Sequence, residues 1–105
     1  MKDLTKRKPI RSKAIRQSAN GESCTVCDKN DDTTVFCHLN ELYAGKGISQ
    51  KADDFGFFAC QECHDIYDGR VKGAPILYWH LLRACYRTWR RLIDKGILKI
   101  TDYEP

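Results

Sequence analysis

The sequence lacks any long apolar segment, and its 105 residues include only three histidines and one methionine. A membrane-spanning helix needs about 18 or more consecutive apolar residues, so the sequence predicts no membrane segment. The first 23 residues are basic but contain no apolar run, which argues against a secretory signal peptide. We therefore expect a cytoplasmic protein that is not bound to a membrane.

The chain is comparatively rich in cysteine, with six residues of this type. A domain of this length buries a small core and often needs a disulfide or a metal ion for stability. A reducing cytosol favours metal-bound thiolates over disulfides. Two Cys-x-x-Cys pairs, Cys24 with Cys27 and Cys60 with Cys63, have the spacing of a closed four-cysteine site, which predicts one structural Zn²⁺.

The second pair also fits a different motif. Cys60-Gln-Glu-Cys63-His64 matches the Cys-x-x-Cys-His sequence of covalent haem attachment. That chemistry requires export and would leave Cys24 and Cys27 unexplained, so zinc is the favoured interpretation. The remaining cysteines, Cys37 and Cys85, lie in apolar patterns and are predicted to be core residues.

Charge is divided unevenly along the chain. Residues 1–20 carry seven basic residues and one acidic residue, residues 21–68 carry three and ten, and residues 69–105 carry eight and three. The first segment has no hydrophobic period, which predicts a flexible basic arm over residues 1–20 and a single domain over residues 21–105. Two basic flanks around an acidic centre suit a cation site beneath a polyanion such as DNA, although solvated charge without a partner remains the alternative.

Short strands and one long helix are predicted for the domain. Residues 33–37 are rich in β-branched and aromatic side chains and residues 55–59 form a short apolar segment, which predicts two strands, the first ending at His38. Residues 64–68 should begin a helix, and a long amphipathic helix is predicted at about 75–96. Its apolar positions recur at helical spacing, and residues 97–100 could form a terminal strand. The predicted apolar face consists of Tyr78, Leu82, Cys85, Trp89 and Leu92.

Two histidines occupy positions suited to chemistry. His64 and Asp68 are four residues apart on the predicted helix, so they share one face and could bind a divalent cation. For His64 the alternative is a helix cap or a group that supports the zinc ligands. For His38, spacing alone favours a packed histidine at the end of a strand.

At these residues the chain resembles the HNH, or ββα-metal, nucleases, and within them the YbcO-like nuclease family of phages and prophages. The cysteine framework is also similar, more loosely, to that of phage endonuclease VII, a resolvase of branched DNA. The resemblance covers roughly residues 10–70. It is carried by Arg11-Ser12-Lys13, Glu22-Ser23-Cys24-Thr25, Thr33-Thr34-Val35-Phe36-Cys37-His38-Leu39, Gly45-Lys46-Gly47-Ile48, Lys51-Ala52-Asp53-Asp54 and Ala59-Cys60-Gln61-Glu62-Cys63-His64-Asp65-Ile66-Tyr67-Asp68-Gly69-Arg70.

The resemblance implies a small zinc-stapled α+β domain of ββα-metal type that cuts DNA phosphodiesters. His38 would be the general base, and His64 and Asp68 would bind a catalytic Mg²⁺ or Mn²⁺. Asp53 is a candidate to orient the His38 ring. The predicted DNA-binding residues are Lys6, Arg7, Lys8, Arg11, Lys13, Arg16, Arg70, Arg83, Arg87 and Arg91.

Two positions depart from the HNH pattern. Many of those enzymes have an acidic residue or histidine immediately before the base, as an extra metal ligand, where this chain has Cys37. Their middle asparagine is not evident, and Asp53 or Asp54 is nearest its place. The alternative function is therefore a non-catalytic zinc module that binds DNA or a phage recombination or replication partner. The chain could also form a homodimer.

Overall fold

A computed structural model describes residues 10–39, 52–53 and 55–105 of the chain. A two-stranded sheet and three helices make up the described secondary structure, which confirms the predicted α+β class. In chain order they are α1 (Lys13–Gln17), β1 (Val35–His38), β2 (Gly56–Ala59), α2 (Gln61–Tyr67) and α3 (Tyr78–Asp94). The described residues contain no helix that is both long and apolar enough to cross a membrane.

The strands β1 and β2 pair antiparallel, with His38 opposite Gly56 and Cys37 opposite Phe57. Since side chains alternate along a strand, successive residues face opposite sides of the sheet. Cys37 and Phe57 belong to a buried cluster with Cys24, Cys60 and Cys63, whereas Phe36 belongs to a second cluster with Ile15 of α1. At Gly56 an added Cβ would meet the Phe36 ring at 2.8 Å and the carbonyl oxygen of Cys37, so glycine permits the close approach of the strands beside His38.

The N-terminal part of the chain corrects the prediction of a flexible arm over residues 1–20. Residues 13–17 form α1, which is capped by the Ser12 side chain accepting a hydrogen bond from the Ile15 N–H. Ile15 and Ala19 are buried against the sheet. Two apolar residues one turn apart suffice to dock so short a helix. They are too few to give a recognisable helical repeat of apolar residues in the sequence. Residues 1–9 lie outside the described residues.

Helix α3 is shorter than the predicted range of 75–96, and its buried face differs from the predicted one. Cys85 and Leu92 are buried as expected, but Tyr78, Leu82 and Trp89 are 90%, 74% and 43% exposed. The face against β2 uses small residues instead, because they let the helix approach the strand closely. These are Ala84, Cys85 and Thr88.

The outer edge of β2 is covered by this contact. The Phe58 N–H donates to Thr88 Oγ1 at 2.9 Å, and the Phe58 carbonyl accepts from Thr25. After α3 the chain turns at Gly96, and Ile97 and Leu98 pack against the cluster of Phe36 and Phe58. Residues 97–100 therefore do not form the predicted strand.

Candidate active site and metal centres

The two cysteine pairs lie on two different local structures. Cys24 begins a tight turn in which the N–H groups of Val26 and Cys27 point at its sulfur, at 3.4 and 3.5 Å. Cys60 is the N-terminal cap residue of α2, and Cys63 lies in the first turn of that helix. Thr25 joins the two structures, because its N–H and its hydroxyl both donate to the Phe58 carbonyl, at 2.8 and 2.7 Å.

The four sulfur atoms fit a tetrahedral zinc site. All lie within 4.8 Å of one another, and Cys27 Sγ is 3.7 Å from Cys60 Sγ. Tetrahedral Zn–S bonds of about 2.3 Å give sulfur–sulfur edges of about 3.8 Å. Burial and the neighbouring Cys24 sulfur raise the pKa of Cys63 far above its ordinary value, since thiolates repel one another there. A divalent cation offsets that repulsion, so the donor set suits a structural Zn²⁺.

The strand-end histidine is paired with a carboxylate. His38 Nε2 lies 2.7 Å from Asp53 Oδ1, and its ring makes an edge contact with Phe36 at a centroid distance of 5.3 Å. The His38 side chain is 15% exposed, and the Asp53 side chain is fully buried. The structure thus brings together the two residues that the sequence suggested as base and orienting group.

The other carboxylate oxygen of Asp53 is held by the N-terminal segment. The Ser12 N–H donates to Oδ2 at 2.6 Å, Arg16 forms an ion pair with it, and Arg11 Nε lies 3.8 Å away. Burial alone would raise the pKa of Asp53, but the hydrogen bonds from the Ser12 N–H, His38 and Arg16 lower that pKa below its ordinary value. Asp53 is therefore a carboxylate at neutral pH, and it is fixed in place on both sides.

A second group of possible metal ligands lies between β1 and α2. Ligand atoms of Cys37, His64 and Asp68 all lie within 4.8 Å of one another. His64 Nε2 is 3.1 Å from Asp68 Oδ2, as expected for residues one helical turn apart. Arg70 Nη2 lies 3.3 Å from the same Asp68 oxygen.

Cys37 is the member of this group that the sequence reasoning missed, because an apolar strand pattern predicts a core cysteine. The cysteine is indeed buried. The available signal was its position immediately before His38, where many HNH enzymes have an extra metal ligand. Cys37 belongs both to the hydrophobic core and to the group of possible metal ligands with His64 and Asp68.

Most of the described residues predicted to bind DNA make contacts within the chain. Arg87 pairs with Asp28 at 2.8 Å, and Arg91 donates to the Ser23 carbonyl at 2.8 Å. Arg83 lies over the Trp79 ring at 5.4 Å. Lys13 is exposed on α1. Lys6, Arg7 and Lys8 lie outside the described residues, and the contacts of Arg11, Arg16 and Arg70 are those given above.

Comparison with known proteins identifies the family of the chain. A family model described as "Putative nuclease YbcO" matches residues 13–97, which is most of the chain. The chain therefore belongs to the YbcO nuclease family, whose name implies a nucleic-acid substrate. The match begins at the first residue of α1 and includes Asp53, both cysteine pairs and α3. Searches of curated proteins and of solved structures found no match.

Proposed function

We propose that this protein is a metal-dependent DNA endonuclease of phage or prophage type, with a ββα-metal, HNH-like centre. The observation that carries the proposal is the pairing of His38 with a buried, ionised Asp53, at the strand residue that follows Cys37. Cys37 in turn belongs to the group of possible cation ligands with His64 and Asp68. The end of β1 therefore carries the proposed base and one possible cation ligand on successive residues.

His38 would act as the general base. Asp53 accepts a hydrogen bond from the Nε2–H, which fixes the orientation of the His38 ring. The imidazole would take a proton from the attacking water. Asp53 would then stabilise the imidazolium, since the carboxylate stays charged through its contacts with Ser12 and Arg16. Asp53 is a positioning residue in this scheme.

His64 and Asp68 would hold a divalent cation, which the resemblance to HNH nucleases suggests is Mg²⁺ or Mn²⁺. It would supply electrostatic stabilisation of the phosphorane-like transition state and the departing 3′ oxygen. Zn²⁺ on the four cysteines would fix the start of α2 and hence the direction in which His64 projects. The basic residues would contact phosphates without reading sequence.

The second candidate is a non-catalytic zinc module that binds DNA or a phage recombination or replication partner. One observation favours it: Arg70 already pairs with Asp68, so the carboxylate has a cationic partner without a metal ion. The homodimer remains a prediction.

A plasmid-nicking assay on histidine variants tests the proposal. Wild type, His38→Ala, His64→Ala and His80→Ala would be compared with Mg²⁺ and with Mn²⁺, after zinc content and circular dichroism confirm folding. His38→Ala should lose about 10²–10⁴-fold in rate and still bind the second cation. His64→Ala should lose that cation, and excess Mn²⁺ should partly restore cutting by mass action.

His80 is the matched control, because it accepts a hydrogen bond from the Leu77 N–H at the start of α3 and is outside the proposed site. Its variant should nick as fast as wild type. Equal rates for all four proteins would remove His38 and His64 from the chemistry. Wild type that binds DNA but never nicks with either ion would establish the binding module instead.

A further inference from the structure

The cluster of Cys37, His64 and Asp68 combines three different donor types. A thiol from β1, an imidazole from α2 and a carboxylate at the end of α2 have ligand atoms within 4.8 Å of one another. Cys37 is buried, whereas the His64 and Asp68 side chains are 23% and 25% exposed. The cluster is therefore closed on its thiol side and open to solvent on its nitrogen and oxygen side.

We propose that Cys37 is a ligand of the second cation, and that this site selects a thiophilic ion such as Zn²⁺ or Co²⁺ over Mg²⁺. The selected ion then differs from the Mg²⁺ or Mn²⁺ that the resemblance to HNH nucleases implies. Mg²⁺ prefers oxygen ligands in octahedral geometry, whereas a mixed sulfur, nitrogen and oxygen set suits Zn²⁺ or Co²⁺. Three protein ligands also leave a coordination position for water or phosphate, as in catalytic zinc sites. The catalytic role of this cation depends on the proposed nuclease function, but the binding of the cation to these three ligands does not.

Binding must compete with contacts that the ligands already make. His64 lies against Asp68 at 3.1 Å, and Arg70 contacts both Asp68 and Asp65 at 3.3 Å. The incoming cation would replace the positive charge of Arg70 at Asp68, and the Cys37 thiol would release its proton to solvent as the metal–sulfur bond forms. Arg70 is 58% exposed, so it can turn away into water.

A cobalt titration tests thiolate ligation directly. Protein loaded with one equivalent of Zn²⁺ has its four-cysteine site filled by a spectroscopically silent ion. Co²⁺ added next should produce visible d–d bands and a near-ultraviolet sulfur-to-cobalt charge-transfer band. Cys37→Ser should lose the charge-transfer band and bind Co²⁺ at least about 10-fold more weakly. Cys85→Ser is the matched control, because Cys85 is a second buried cysteine that belongs to neither group of possible metal ligands, and it should behave as wild type.

If Cys37→Ser fails to fold, His64→Ala replaces it, because His64 lies on the partly exposed side of the site. This variant should also weaken Co²⁺ binding and the charge-transfer band. Excess Mg²⁺ should leave the wild-type band in place. The proposal is overturned if wild type binds no Co²⁺, if it binds Co²⁺ without a charge-transfer band, if Cys37→Ser folds and keeps the band, or if Mg²⁺ abolishes it.

These outcomes are separate from nuclease activity. A thiolate-ligated Co²⁺ on a protein that never nicks would leave this inference standing, whereas Mg²⁺-dependent nicking without the band would leave only the proposed nuclease.

Discussion

Two groups of possible metal ligands meet at helix α2 and its two cap residues, and they differ in the type, the number and the exposure of their ligands. Cys60 and Cys63 at its start belong to a set of four identical soft ligands. His64 and Asp68 in its following turns belong to a set of three unlike ligands with an arginine beside it. Around one ion the first set would complete a tetrahedron and exclude substrate, whereas the second set would leave coordination positions open. One short helix thus separates a site suited to holding the fold from a site suited to chemistry.

Removing a ligand from the first set should have the largest effect. Apparent zinc-binding free energies of about 10 kcal/mol are comparable with the total stability of a small domain. Cys60→Ser should therefore lose zinc and unfold or become insoluble, as measured by zinc content and thermal melting. Cys37→Ser, in the second set, should keep zinc and remain folded. Equal melting temperatures for a zinc-free Cys60→Ser and wild type would contradict the assigned difference between the two sets.

The zinc set was predictable from the sequence because Cys-x-x-Cys spacing is a local property. The pair of His64 and Asp68 was predictable for the same reason, since four residues make one helical turn. The N-terminal support of Asp53 was not, because Ser12 and Arg16 reach it from 41 and 37 residues away and no periodic pattern encodes that contact. The buried face of α3 was predicted wrongly because the helical spacing was read from large apolar residues, whereas small residues make the contact with β2.

Asp53→Asn should have an intermediate effect and would sharpen the contrast between folding and chemistry. The variant keeps an oxygen that accepts from His38, but it loses the charge that pairs with Arg16 and Arg11. Because those arginines are half-exposed, a loss of about 1–3 kcal/mol is expected in urea unfolding, together with slower nicking. Asp94→Asn is the matched control, because it removes an exposed ion pair with Arg90 on α3, and it should change neither. An Asp53→Asn protein with wild-type stability and rate would remove Asp53 from the site.

The same variant gives a pH dependence. The folded-state pKa of Asp53 is lowered below its ordinary value, so its carboxylate stabilises the fold fully above the unfolded-state pKa. That contribution is lost as the pH falls through the folded-state pKa. In excess zinc, the stability gap between wild type and Asp53→Asn should be constant above about pH 5 and narrow below it. A gap that widens on acidification would contradict the lowered pKa.

The smallest expected effect concerns Arg70, which distinguishes the second set from the first. Exposed ion pairs contribute about 0.2–1 kcal/mol, so Arg70→Ala should strengthen Co²⁺ binding at the second site by about 1.5- to 5-fold. Calorimetric titration of the zinc-loaded variant would measure this change. Arg90→Ala, which removes an exposed pair with Asp94 on α3, is the control and should have no effect on Co²⁺. Unchanged affinity in Arg70→Ala would show that the arginine does not compete for Asp68.

The threonine contact at the edge of β2 has a consequence for how copies of this chain meet. A strand with unpaired N–H and C=O groups can be extended by a strand from another molecule, which is a common route to aggregation. On β2, the Phe58 N–H donates to the Thr88 hydroxyl, and the Phe58 carbonyl accepts from the Thr25 hydroxyl. Strand-to-strand growth of fibres through β2 is therefore obstructed by two hydroxyl groups, and a well-behaved dimer would have to form on another surface.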